Sequence, residues 1–152
     1  MKTNMLNETL KTLYRRDLEN LKQEISSYTS EENLWLCSRD VTNSAGNLTL
    51  HLIGNLNHFI GAEIGKSGYV RQRDLEFSSK NANRNELLSM IDETLSVVEK
   101  AIDSISVEDF GKIYPLDVFG YEMTTEYFLI HLTTHLAYHL GQINYHRRLL
   151  DK

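Results

Sequence analysis

The sequence predicts an all-α fold, a four-helix bundle with long connections. Three observations point there. Apolar residues recur at steps of three and four along four long segments. The 152 residues contain one proline, Pro115, which leaves long stretches free to be helical. Hydrophobic residues make up 41% and charged residues 24%, the balance of a globular chain able to bury one core, so 1–152 reads as one domain.

In the first segment Leu6, Leu10, Tyr14, Leu18, Leu21, Ile25 and Tyr28 line one face, and Lys, Arg and Glu fill most of the other. The pattern breaks over 29–43, where a short turn is expected around Trp35, itself read as core. Ser44 is a good N-cap type for the second helix, "AGNLTLHLIGNLNHFIGAEI". This helix is apolar nearly all round, so it is either buried centrally or covered by a second subunit. Gly46, Gly54 and Gly61 weaken it by roughly 1 kcal/mol each against Ala, a cost that close backbone packing offsets. Residues 65–83 read as a polar connection, with "RQRDLEF" (71–77) as a solvated loop. Asn83 with Glu86 forms a capping-box pair opening the third helix, whose stripe is Leu87, Ile91, Leu95, Val98, Ile102 and Ile105. Residues 110–123 read as irregular. The fourth helix starts at Thr124 or Thr125 and runs to about Leu150.

The net charge is -5 and no basic block exceeds "HRR", which argues against nucleic acid as a partner. Cys37 is the single cysteine, so no intrachain disulfide can form. The opening "MKTNMLNETL" lacks a signal peptide's apolar core, and no apolar run reaches the length of a membrane span. The expectation is a soluble cytoplasmic protein with no membrane partner.

The fourth segment concentrates the chemistry. Of 6 histidines, His131, His135, His139 and His146 fall within 131–146. At about 100° per residue, the first three occupy an arc of about 80° bordering the apolar stripe of Phe128, Leu132, Leu136 and Ile143. Inward imidazoles need partners for two nitrogens each. One solution is a metal, because two histidines at i, i+4 project side by side. The alternative is a set of hydrogen-bonded core histidines. Spacing does not choose between the pairs 131/135 and 135/139. His51, midway along the apolar second helix, is the best third ligand. His58 lies seven residues on, about 10 Å along the axis, too far to share the ion with His51. Gln142 and Asn55 stand one turn from a candidate ligand and are read as outer contacts or packing. Tyr138 is read as a helix–helix contact, and His146 with Arg147 and Arg148 as a cationic helix end. No HExxH arrangement is present, and the fourth helix lacks the carboxylates of a di-iron bundle.

"LTLHLIGNLNHFIG" (48–61), followed by "HLAYHLGQINY" (135–145), resembles the DinB-like family, which includes the YfiT-type metalloenzymes; the resemblance covers essentially the whole chain. It implies a four-helix up-down-down-up bundle, commonly a homodimer, with a divalent metal, nickel or zinc, on three histidines. Carried over, the ligands are His51, His135 and His139, and His131 stays outside the set. The implied activity is that of a metal-dependent enzyme, either a thiol-dependent S-transferase using a low-molecular-weight thiol or a metal-dependent hydrolase. A non-catalytic metal- or small-molecule-binding dimeric bundle is the alternative.

Overall fold

The computed structural model describes residues 4–152; residues 1–3, part of the stretch read for a signal segment, lie outside them. The described chain is all-α, its β pairing limited to two isolated bridges, Ser38 with Val41 and Ile113 with Thr124. Its helices are α1 (Met5–Ser26), α2 (Ala45–Leu56), α3 (Arg73–Ser78), α4 (Arg84–Asp103), α5 (Val107–Phe110) and α6 (Thr125–Leu150), with a 3₁₀ turn at Glu31–Trp35. Among the described residues, no helix is long and apolar enough to cross a membrane.

The helix starts follow their local chemistry. Asn4, Ser44, Asn83 and Thr124 each accept a backbone N–H in the first turn of α1, α2, α4 and α6, and Asn83 with Glu86 closes a capping box. α2 continues into a π-helical turn at Asn57–Ala62. There the Phe59 carbonyl accepts from the Tyr114 hydroxyl at 2.6 Å, and Asn57 Nδ2 donates to the Ile53 carbonyl and to Thr94 Oγ1, both at 2.9 Å. The widened turn thus exchanges α-helical bonds for side-chain ties to its neighbours.

α1 and α2 each pack against both α4 and α6. The core draws Leu10, Leu18 and Leu21 from α1, Leu52 and Leu56 from α2, Ile91 and Val98 from α4, and Phe128 and Leu136 from α6. Each such burial contributes about 1.5–3 kcal/mol. Tyr14 ties α1 to α6 by donating to the Leu129 carbonyl at 2.7 Å, and its burial pushes the phenol's pKa well up.

Along α2 every residue but Leu50 is buried, so the chain itself covers this apolar helix without a second subunit. The three glycines mark close approaches. An added methyl at Gly46 would press on the Trp35 ring, and one at Gly61 would meet Val97 Cγ1 at 2.8 Å. At Gly54 it would collide with the Glu76 carboxylate, 2.6 Å from its carboxyl carbon. Trp35 is half-buried; Leu34 beside it is the fully buried residue of the 3₁₀ turn. The polar 65–83 connection differs from the expected loop. It contains α3, which lies on α2 because Asn47 Nδ2 donates to the carbonyls of Glu76 (2.9 Å) and Ser79 (2.7 Å).

Candidate metal centre

Two helices deliver three imidazoles to one point. His51 projects from the middle of α2, and His135 and His139 from successive turns of α6. Their ligand nitrogens lie within 4.8 Å of one another. Nε2 of His135 stands 3.2 Å from Nε2 of His51 and 3.1 Å from Nε2 of His139. With metal–nitrogen bonds of about 2.0–2.1 Å, nitrogens 3.1–3.2 Å apart subtend an angle of about 100° at a shared ion. Two of the three pairs therefore already have the separation that a common ion would impose.

The outer nitrogens show which atom each ring turns to the centre. His51 Nδ1 lies 3.1 Å from Glu76 Oε1. An ionised carboxylate only accepts, so Nδ1 carries the proton and the Nε2 lone pair faces inward. Arg71 Nη2 also approaches that nitrogen at 3.4 Å, but it donates to Glu76 Oε1 at the shorter 2.8 Å. His139 Nδ1 stands 2.7 Å from Gln142 Oε1, again an acceptor, which leaves its Nε2 free. His135 Nδ1 is buried without a hydrogen-bond partner among the described residues. Imidazole lone pairs aimed at one another repel unless a proton or a cation lies between them. The donor set suits a borderline dication such as zinc or nickel.

Burial disfavours the charged form of His51 and His135. It lowers the His51 pKa against the opposing hydrogen bond to Glu76, with the neighbouring His139 adding to the lowering. Burial, reinforced by His139, His51 and His131, brings His135 down to about 4. Neutral imidazole is the ligating form. Aromatic rings wall the cluster: Phe77 lies 5.0 Å from the His51 ring and Tyr138 5.3 Å from that of His139.

The remaining histidines lie elsewhere. His131 packs between Phe119 (4.8 Å) and Phe128 (6.1 Å), and His58 sits beside Phe59. His146 is buried, its Nδ1 2.6 Å from the Tyr28 hydroxyl and its Nε2 2.9 Å from the Leu36 carbonyl, while Arg147 and Arg148 are the basic residues of the last turn of α6. Seven residues beyond His139, it shares the inward face. Tyr138 is 65% exposed, and its hydroxyl accepts from Gln142 Nε2 of the same helix at 3.4 Å. Asn55 is buried, its Oδ1 without a hydrogen-bond partner among the described residues, and the outer nitrogen of His51 goes to Glu76. Glu76 and Arg71 are the participants that the sequence reading left in a solvated loop.

No curated protein matches the chain significantly. A family model described as "protein of unknown function (DUF1572)" matches residues 2–152, and the chain belongs to that family.

Proposed function

We propose that the protein is a metal-dependent enzyme in which His51, His135 and His139 hold a divalent ion, nickel or zinc, and that it transfers a low-molecular-weight thiol to a small electrophile. The observation that carries this reading is the convergence of three imidazoles, two with their outer nitrogens already committed as donors. When bound, a dication on three neutral ligands would supply Lewis acidity to a thiol, a water or an electrophile. The chain's own residues do the rest. Glu76 and Gln142 fix the His51 and His139 tautomers, burial holds His51 and His135 neutral, and Phe77 and Tyr138 flank the cluster with apolar surface. The same donor set also suits a hydrolase, and a non-catalytic metal- or small-molecule-binding dimer uses the same site without turnover.

The proposal includes the DinB-like resemblance, carried by the motifs around His51 and His135. It also includes the up-down-down-up arrangement of α1, α2, α4 and α6, which their pairwise packing supports. A homodimer is supported by exposed apolar side chains on α6: Tyr127, Ile130, Tyr138, Tyr145 and Leu149 fall within about 100° of one face. The single cysteine fits a reducing cytoplasm. Purified protein incubated with a thiol panel and a generic electrophile tests the reaction. Turnover should appear, vanish when the metal is stripped, and return when it is restored. Equal rates from stripped, folded protein would defeat the metal-enzyme reading. Failure of the loaded protein on thiols and on esters alike would favour the binding module.

A further inference from the structure

We propose that Glu76 and Arg71 are positioning residues for the three-histidine site, acting through His51 from outside the ligand set. This rests on the metal reading above. Glu76 is 6% exposed, an unusual place for a carboxylate unless it is paired and hydrogen-bonded. Both its oxygens are engaged. Arg71 grips them as a fork, Nε to Oε2 at 2.8 Å and Nη2 to Oε1 at 2.8 Å, and Oε1 also accepts from His51 Nδ1 at 3.1 Å. The Arg71 guanidinium in turn lies 5.7 Å from the centroid of the Phe59 ring. Two features of α2 exist around this carboxylate. Gly54, one turn from His51, leaves the space that the carboxylate fills, and Asn47, one turn to the other side, binds the Glu76 backbone carbonyl.

The consequence is an asymmetric ligand set. His51 donates to a carboxylate, His139 to a neutral amide, and His135 to no partner among the described residues. A carboxylate on the outer nitrogen fixes the ring's orientation and raises the basicity of Nε2, and loss of such a partner costs about 10–100-fold in metal affinity. His51 is thus the ligand with a charged outer partner, a carboxylate that comes from α3 and is held by Arg71 just before it.

The test measures cobalt(II) affinity and the visible spectrum of the cobalt-loaded protein for wild type, Glu76→Gln, Glu76→Ala, Arg71→Lys and His51→Ala, with circular dichroism to establish folding. Glu76→Gln keeps an acceptor for His51 while losing the charge and should bind about 10-fold more weakly; Glu76→Ala should bind about 100-fold more weakly with a changed spectrum. Should Glu76→Ala fail to fold, Glu76→Gln and Arg71→Lys decide the matter. Wild-type affinity and spectrum in the folded Glu76 variants, with binding lost in His51→Ala, would overturn the positioning role and leave the metal site standing. A wild type that binds no cobalt would overturn the metal site and this role with it.

Discussion

At the scale of single residues, the site depends on holding His135 and His51 uncharged. Their folded pKa values lie below the ordinary 6.5, that of His135 at about 4. In the metal-free protein the unfolded state therefore binds more protons than the folded state between about pH 6.5 and 4. Stability from this source is complete above pH 6.5 and is lost as the pH falls toward 4. Urea denaturation of metal-free protein across that range should show the decline, and His135→Gln should flatten it; an unchanged slope in the variant would contradict the assignment. His131 touches Phe119 and Phe128 and lies outside the cluster, so His131→Ala should leave metal content largely intact. Loss of the ion in that variant would point to the 131/135 pair. His135 and His139 were legible as candidates because i, i+4 spacing survives any reasonable packing, which left the 131/135 pair equally open, and His51 was legible from its place midway along an apolar helix. Glu76 was not legible. A carboxylate in a polar run gives no periodic signal, and its burial depends on Gly54 and Arg71, which no local pattern connects to it.

The long helices were legible as elements, down to their caps at Ser44, Asn83 and Thr124, because capping chemistry and apolar period are both local. α3 escaped, being six residues long and held by tertiary bonds from Asn47 instead of by an apolar stripe. The helix glycines separate two effects. Gly54→Ala should cost about 1–3 kcal/mol, because the added methyl strikes the Glu76 carboxylate, and should weaken metal binding along with it. Gly141, inside α6, has open space where its methyl would go, so Gly141→Ala should stabilise by about 0.5–1 kcal/mol. Thermal denaturation of the two variants checks both signs.

On the scale of the whole molecule, the surface proposed for a homodimer differs from the one expected from an all-round apolar second helix. α2 is covered by its own chain, and exposed apolar side chains share one face of α6, where exposure depends on packing that the sequence pattern does not reveal. Light scattering at micromolar concentration should report about twice 17.6 kDa. The double substitution Tyr145→Glu, Leu149→Glu should return it to the monomer mass, and an undisturbed dimer would place the interface elsewhere. The metal assignment itself is tested most directly by elemental analysis of untagged protein purified without added metal. Wild type should carry about one divalent ion per chain, and His135→Ala, folded by circular dichroism, should have lost it. Full occupancy in that variant, or none in the wild type, would contradict the three-histidine site.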